Sequence, residues 1–408
     1  MSRRKKYRIF LCTLIVSGLA VLGYFSIQSL KESIPGAMKV RELEQLALDF
    51  GWLITEEVTP ELANVSANAF DSQKYQVHCS LFGVIPLKTI EVQQVETEPV
   101  YTGGIPIGLY LETQGVFVID YGSIEGKDGL QYEPARQVVQ PGDYILAVNS
   151  QSVSEKEELS ALIGEAGQGE VILTLRRADE VIDVRLKTVE TADGSYKAGI
   201  WVRDNTQGIG TLTFVTTDRE FGALGHGIND VDTGDLLAIS EGALYETKIQ
   251  EIKRGENGKP GEISGTISYQ KDCKYGTILE NLPVGIFGTC SNGKLLQESG
   301  EQEVEIAFKQ EVKEGKAFIR SAVDGTMKDY EIEVTGINYK ESDINKGIVF
   351  RVTDERLFSY TGGIVQGMSG SPILQEGKLI GAVTHVFVQD SSKGFGIFIE
   401  NMLDYVDS

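Results

Sequence analysis

Residues 362–374 read GGIVQGMSGSPIL, and this stretch governs the interpretation of the carboxyl-terminal half of the chain. Ser369 lies between Gly367 and Gly370, and Pro372 leads straight into an apolar run. A tight glycine turn at the start of a strand can expose a serine oxygen for nucleophilic attack, but the same features make an ordinary loop. The chemistry available elsewhere in the chain has to distinguish these two possibilities.

A serine hydroxyl at neutral pH needs an imidazole to accept its proton and a carboxylate to orient that imidazole. The chain has only three histidines. His226 lies between two glycines in the stretch FGALGHGINDVDTGD (221–235) and is the predicted base. His385 lies in an apolar strand pattern and is expected to line a pocket or pack in a barrel, whereas His78 carries no local signal.

The carboxylate is the least determined member of the predicted site. Asp354 follows the strand pattern VFRVT and is the first candidate, with the alternative that it caps a strand or pairs with Arg351. Three aspartates that follow the predicted base closely compete with it: Asp230, Asp232 and Asp235. The backbone N–H groups of Gly367 and Ser369 are predicted to form an oxyanion hole, because they can point at one developing charge.

Short strand patterns separated by glycine-rich turns fill most of the chain. The sequence has 46 glycines and 41% hydrophobic residues. In EVEIAFKQEV (303–312), for example, apolar and polar residues alternate as they do in a half-buried strand. The pattern favours a mainly β protein with a barrel or sandwich in residues 191–408.

Residues 99–190 contain the stretch PGDYILAVN (141–149), which resembles the PDZ domain family. PDZ domains bind a peptide as an added strand beside a helix. The resemblance places this peptide groove at Gly108, Leu109, Tyr110 and Leu111, with the helix around Leu159 as the facing wall. The alternative is that the protein's own chain fills the groove.

The amino-terminal stretch carries five basic residues followed by the uncharged run Ile9–Ile27. Its 19 residues reach about 28 Å as a helix, close to the thickness of a bilayer core. We expect residues 1–30 to be a cytoplasmic tail and membrane anchor, with everything that follows exported. A cleaved signal peptide and a buried soluble helix are the alternatives. Residues 31–98 are predicted to be a spacer and β-rich lead-in, with a helical pattern at 38–51.

The formal net charge of the whole chain is −21. Since this total includes the positive charges of the basic tail, the rest of the chain is more negative than −21. Such a body repels phosphate backbones, so no nucleic-acid partner is expected. The four cysteines show neither a disulfide framework nor metal-binding spacing, and no metal or other cofactor is expected. Cys273 and Cys290 are predicted either to pair or to be buried free thiols.

The serine stretch resembles the nucleophile loop of chymotrypsin-like serine peptidases. The order of anchor, PDZ domain, His226 and Ser369 resembles that of the stage IV sporulation protein B peptidases. The blocks at 210–234 and 361–390 look like that family's two signature segments. The resemblance implies a chymotrypsin-like double β-barrel and a catalytic triad of His226, Asp354 and Ser369.

The family likeness further implies a sporulation signal. Such peptidases are exported across the inner forespore membrane and cut an inhibitory membrane protein, which frees an intramembrane metalloprotease. That protease then processes the precursor of the late mother-cell sigma factor. The likeness also implies that the protein cleaves itself, and one alternative is that one copy cuts another in trans. A non-catalytic PDZ scaffold with a degenerate barrel is the alternative, and a quality-control protease is disfavoured because its peptidase precedes its PDZ domain.

Overall fold

The computed structural model describes residues 3–42, 54–60, 74–256, 258–291, 293–300 and 302–406. The described chain is mainly β, as its alternating patterns predict. It begins with helix α1 (Arg3–Glu32), which is long and apolar enough to cross a membrane. Most of this helix is uncovered, but near its end Ile27 and Leu30 pack against the buried core of the following sheet. The folded body therefore holds one end of α1.

A four-stranded sheet follows the helix, so the predicted spacer is a folded unit where it is described. Its strands are β1 (Ala37–Val40), β2 (Ile54–Pro60), β3 (Lys74–Leu81) and β4 (Ile85–Gln94). They lie in the order β1-β4-β3-β2, with β1 parallel to β4. The helical pattern at 38–51 was wrong for residues 38–40, which form β1, and residues 43–51 lie outside the described residues.

The predicted PDZ region forms a compact unit around one helix. Its elements are β5 (Val100–Thr102), β6 (Pro106–Tyr121), β7 (Ile124–Glu125), β8 (Gln131–Tyr132), β9 (Tyr144–Val148), β10 (Gln151–Ser152), α2 (Lys156–Ala166), β11 (Glu170–Arg177), β12 (Glu180–Lys187), β13 (Val189–Glu190) and β14 (Tyr196–Lys197). In β11, Val171, Leu173 and Leu175 are buried, because alternate side chains of a strand share one face. Leu159 and Ile163 of α2 lie one turn apart and cover that face.

The first barrel closes through the pairings β6-β15-β16-β20-β19-β17 and back to β6. The added elements are β15 (Ile200–Val215), β16 (Glu220–Ala223), β17 (Ile239–Lys253), β18 (Gly261–Ile267), β19 (Lys274–Leu282), β20 (Gly285–Cys290), α3 (Lys294–Ser299) and β21 (Glu303–Val304). Its interior is filled by buried apolar side chains: Leu109, Leu212, Phe221, Leu244, Ile278 and Ile286. Cys273 and Cys290 are free thiols in this barrel.

The second barrel has six strands in the closed order β22-β23-β24-β28-β27-β26. Its elements are β22 (Gly315–Ser321), β23 (Lys328–Ile337), β24 (Ile348–Val352), α4 (Glu355–Thr361), β25 (Val365–Gln366), β26 (Pro372–Gln375), β27 (Lys378–Phe387), β28 (Asp390–Phe398) and α5 (Ile399–Leu403). Phe214 and Phe287 of the first barrel share a buried cluster with Ala382 and Ile397 of the second. The barrels therefore pack directly against each other, and a cleft opens where they meet.

Strand β6 belongs to two units at once. Residues 107–113 pair with β15 and β17 in the first barrel, whereas Val116 and Phe117 pair with β9 of the PDZ unit. Gly115 lies at the junction with a φ of 91°, and an added Cβ would lie 2.6 Å from the Ile145 carbonyl oxygen. The predicted boundary at residue 99 assigns the first half of β6 to the PDZ domain, but its pairing places that half in the barrel.

The predicted peptide groove at Gly108, Leu109, Tyr110 and Leu111 needs correction for the same reason. These residues pair with β15 on one edge and with β17 on the other, so no edge is open for an added strand. The protein's own chain occupies both positions. The predicted wall at Leu159 instead faces Ala198–Val202, across a groove of about 410 Å³.

Candidate active site

Ser369 lies in the loop between β25 and β26, and the first barrel holds this loop in place. Thr211 of β15 donates a hydrogen bond from its N–H to the Ser369 carbonyl (3.0 Å) and from its hydroxyl to the Gly367 carbonyl (2.8 Å). Gly370 has a φ of 94°, and an added Cβ would lie 2.1 Å from the Thr211 carbonyl oxygen. Glycine is required there because any side chain would push the serine loop away from β15.

His226 lies just after β16, in a turn whose preceding residues Leu224 and Gly225 both have φ near 68°. The loop beyond it is held by Asn281, which sequence reasoning missed. The Asn281 side chain accepts from the Ile228 N–H (2.8 Å) and donates to the carbonyls of Ile228 (2.9 Å) and Leu237 (2.8 Å). An asparagine in the strand pattern TILENLPVGIF was the available signal, because asparagine is depleted in strands.

One cleft of about 470 Å³ between the barrels brings together His226, Ser369, Thr384 and His385. The two imidazole rings lie 5.2 Å apart between centroids. The Ser369 hydroxyl donates to the Thr384 carbonyl (2.8 Å), so in this conformation its single proton is not directed at His226. Attack therefore requires the Ser369 hydroxyl to turn away from the Thr384 carbonyl, and catalytic hydrogen bonds are often poorly aligned in unliganded sites.

The hydrogen bonding of His226 fixes its tautomer. Its Nδ1 lies 2.8 Å from the Gly227 carbonyl oxygen, and because a carbonyl only accepts, Nδ1 carries the proton. The lone pair of neutral His226 is then on Nε2, as a general base requires. Burial lowers the pKa of His226 against the opposing effect of the Gly227 carbonyl, so the ring is neutral at pH 7.

His385 lines the same cleft, which confirms its predicted position. Partial burial, the neighbouring His226 and the positive charge of Lys346 all lower the pKa of His385. Both imidazoles of the cleft are thus neutral at pH 7. The two rings do not repel each other as cations under those conditions.

The structure does not place Asp354 against His226. Asp354 caps α4 by accepting from the Arg356 N–H (2.9 Å), and the Arg356 guanidinium binds both of its oxygens (3.0 and 2.6 Å). The Glu331 N–H also donates to it (3.2 Å). The hydrogen bonds from Arg356 lower the pKa of Asp354 to about 2, against the opposing effect of burial. The predicted alternative was a strand cap or a pair with Arg351, whereas Asp354 caps helix α4 and pairs with Arg356.

Two of the competing aspartates pair with an arginine, and the third lies beside the PDZ unit. Asp230 is buried against Arg203, which pairs with Asp232 as well (2.9 Å). Asp235 lies beside Gly142. Among the described residues, the Gly227 carbonyl is the acceptor at His226 Nδ1, and no carboxylate bonds to this ring. A backbone carbonyl therefore orients the predicted base in this conformation.

Comparison with known families agrees with this arrangement. A family model described as SpoIVB peptidase S55 matches residues 194–403, and a PDZ domain model matches residues 134–177. The chain belongs to the SpoIVB peptidase family, and it is a PDZ-containing serine peptidase. The predicted family and fold class are thereby confirmed: a mainly β chain with an apolar amino-terminal helix, a PDZ domain and a double-barrel peptidase domain.

Two solved structures show weaker likeness. The PDZ domain of the SdrC-like protein (Lmo2051) from Listeria monocytogenes is 21% identical, covering 22% of this chain and 87% of that one, with a TM-score of 0.18. The Rv3671c protease in its inactive form is 11% identical, covering 49% of this chain and 85% of that one, with a TM-score of 0.27. At these TM-scores neither likeness bears on fold or function. No curated protein matches the chain.

Proposed function

We propose that this chain is a membrane-anchored, exported serine endopeptidase with Ser369 as nucleophile and His226 as general base. The observation that carries the proposal is the cleft that both side chains line, with His226 in the tautomer that a base needs. Covalent labelling by a fluorophosphonate probe tests it, because only an activated serine reacts. Recovery of the label on Ser369 is expected, and an unlabelled folded chain would favour the non-catalytic scaffold.

The chemistry begins when the Ser369 hydroxyl turns from the Thr384 carbonyl towards His226. Oγ attacks the scissile carbonyl carbon while Nε2 of His226 accepts the hydroxyl proton. The Gly227 carbonyl keeps the Nδ1 proton in place and partly stabilises the imidazolium. The proton then passes to the leaving amine, and water, deprotonated by the same imidazole, releases the acyl group from Ser369.

The N–H groups of Gly367 and Ser369 are proposed to bind the oxyanion. Gly367 has a φ of 100°, in the left-handed region, and an added Cβ would lie 2.9 Å from the Ile263 side chain. Among the described residues, the Ser369 N–H donates to no backbone or side-chain acceptor. An unpaired donor next to the nucleophile is what an oxyanion hole requires.

The cleft walls suggest the class of peptide that it accepts. They are mostly apolar, and the residues concerned are Leu109, Ile209, Leu224, Ile228, Ile364, Val365, Val386 and Val388. Desolvation of a charged substrate side chain on such walls is costly. We therefore propose that a large apolar side chain of the substrate occupies the cleft, and assay peptides should carry one.

Family membership supports the finer biological role. We propose that the protein is held in the forespore inner membrane by α1 and acts as a sporulation signal. Its substrate is then a membrane-bound inhibitor of the intramembrane protease that processes the late mother-cell sigma factor precursor. Self-cleavage, in trans between two copies, is proposed as well.

The PDZ domain is proposed to present substrate rather than to block the cleft. None of the described residues that line the cleft lies between 116 and 202. Replacing residues 122–199 by an Asn-Gly turn keeps the β6–β15 pair, since Tyr121 and Ile200 are cross-strand partners. Hydrolysis of a short peptide is expected to persist while cleavage of a protein substrate is lost. Faster cleavage of both would instead show that the domain gates the enzyme.

A matched deletion controls for the barrel. Removing residues 100–190 takes β6 out of the first barrel and β5 from the edge of β15. Unfolding is expected, measured by circular dichroism and by loss of peptide hydrolysis. The replacement of residues 122–199 by Asn-Gly should stay folded by the same two measurements.

Asp354 gives a second prediction, because Asn caps a helix as well as Asp does whereas Ala does not. Asp354→Ala is expected to lower the free energy of unfolding by about 1 kcal/mol, and Asp354→Asn by less. Peptide hydrolysis by Asp354→Asn should stay within about tenfold of wild type, whereas loss of an orienting carboxylate costs ~10⁴-fold. A stable but inactive Asn variant would give Asp354 the acid role in a different conformation.

The pH dependence follows from the neutral base. Burial holds the pKa of His226 below its usual value, so its base form persists into mildly acid solution. The acid limb of kcat/KM is expected below about pH 6.5, the ordinary histidine value. His385→Gln should leave this limb in place. A limb above the ordinary value, or one that moves with His385→Gln, would contradict the assignment.

A further inference from the structure

The tip of the β3–β4 hairpin exposes an unusual apolar surface. Phe82 is 62% exposed, Val84 is 80% exposed and Ile85 is 44% exposed. The stretch SLFGVIPL (80–87) carries no charge. Three neighbouring apolar side chains directed into solvent are typical of a surface that meets a partner or a lipid phase.

The backbone of this tip is also unfavourable for its sequence. Phe82 has a φ of 55° and Gly83 a φ of 69°, the left-handed pair that tight hairpins normally fill with Asn-Gly. A bulky residue in that region carries strain. The turn therefore presents Phe82 outward where a polar residue would fit the backbone better.

The hairpin tip and helix α1 leave the small sheet at the same end. Strand β1 is parallel to β4, with Ala37 opposite Glu91, so the chain before β1 runs back towards the start of β4. The Lys88 ammonium confirms this path by donating to the Ile34 carbonyl (2.8 Å). Leu81 pairs with Ile85 at the tip, and Ile85 lies three residues before Lys88 along β4, so at strand spacing the tip projects ~10 Å beyond this contact.

The surface of α1 indicates where a membrane would begin. The helix is covered at Ile27 and Leu30, which pack on the sheet, but Tyr24 and Phe25 just before them are exposed. Aromatic side chains favour the interface between lipid and water. The apolar tip therefore lies on the side of the small sheet from which the uncovered helix departs.

We infer that Phe82, Val84 and Ile85 insert into the interface of the same bilayer that α1 spans. The inference rests on the anchoring role proposed above. Continuity with the helix selects lipid as the occupant of this surface. A helix alone leaves the body free to rotate and tilt, whereas a second contact beside it restricts both motions.

The restriction would extend to the catalytic cleft, because the small sheet is tied to the second barrel. Arg41 pairs with Glu311 (2.9 Å), and Lys39 pairs with Asp404. At the end of α1, Glu32 pairs with Lys340 (2.7 Å). The hairpin tip would therefore hold the cleft at a set height and angle above a membrane substrate.

The test uses the full chain reconstituted in phosphatidylcholine vesicles that contain a minority of phosphatidylglycerol. Phe82→Trp places a fluorescent reporter at the tip, and Val181→Trp is the matched control on the β11–β12 hairpin of the PDZ domain, where the side chain is 63% exposed. Trp52 and Trp201 give a background common to both variants. Lipids brominated near the headgroup end of the acyl chain are expected to quench the reporter emission of Phe82→Trp several-fold more than that of Val181→Trp.

Equal quenching of the two reporters in vesicle-bound protein would overturn the inference while leaving the anchor intact. If Phe82→Trp does not fold, Val84→Trp serves as the reporter with the same expectation. Flotation with the vesicles distinguishes failure of the proposed anchor from failure of the hairpin contact alone. A folded wild-type chain that fails to float with the vesicles would overturn the proposed anchor and the hairpin contact together.

Discussion

Ser369→Ala is expected to lower peptide hydrolysis by about 10⁴- to 10⁶-fold, because the variant loses the atom that forms the acyl-enzyme. The residual rate should come from binding and the oxyanion hole alone. The fold should survive, since the serine hydroxyl makes one hydrogen bond, to the Thr384 carbonyl, and such a bond contributes about 1 kcal/mol. The measurements are kcat/KM on a peptide with an apolar side chain and thermal unfolding.

Ser371→Ala is the matched control for that experiment. Ser371 lies two residues further on in the same loop, is buried, and its hydroxyl has no hydrogen-bond partner among the described residues. Removing an unpaired hydroxyl should change both activity and stability little. Full activity in Ser369→Ala would overturn the assignment of Ser369 as nucleophile, and equal loss in both variants would point to a damaged loop.

His226→Ala is the second large effect, with an expected loss of the same order as that of Ser369→Ala. Without the His226 imidazole, whose free Nε2 is the proposed proton acceptor, the Ser369 hydroxyl lacks its general base. The double variant should be no worse than either single one, because the two residues act as a unit. Loss of fluorophosphonate labelling at Ser369 is the direct readout of its lost activation.

His385→Ala separates the two imidazoles of the cleft. His385 is 5.2 Å from His226 between ring centroids, so either ring lies near the reacting atoms. Only His226 has its Nδ1 proton held by a carbonyl within the described part of the cleft, which leaves Nε2 free to act as base. His385→Ala should therefore retain probe labelling. If instead His226→Ala is labelled and His385→Ala is not, the base is His385.

The nucleophile could be predicted from the sequence because the features that indicate it lie close to it along the chain. Ser369 is surrounded by glycines within a few residues, and each glycine answers a nearby steric demand. The helix cap at Asp354 has a local signal as well, because Asp354 precedes the run ERLFSYT and a glycine follows it, but the predicted alternatives were a strand cap or a pair with Arg351. The family resemblance favoured the catalytic interpretation instead. The local contacts to Arg356 agree with the cap.

Long-range pairing accounts for what could not be predicted. The sequence pattern of β6 is that of a strand whether one edge or both edges are occupied. Which edge stays open depends on β15 and β17, which both lie far away along the chain: Leu109 pairs with Gly208 of β15 and with Leu244 of β17. The groove assigned to Gly108–Leu111 failed for that reason. The clamp of Asn281 on the His226 loop has the same long-range origin.

By itself, the sequence determined the apolar helix, the strands and the two residues most able to do chemistry, because periodicity, glycine placement and the scarcity of histidine are properties of short segments. Only the tertiary structure decided that Ser369 and His226 share one cleft, that a carbonyl rather than Asp354 holds the imidazole, and that the PDZ domain continues strands of the barrel. Those outcomes depend on which distant backbone segments pair, and hydrogen bonds between distant segments leave no pattern in either segment alone.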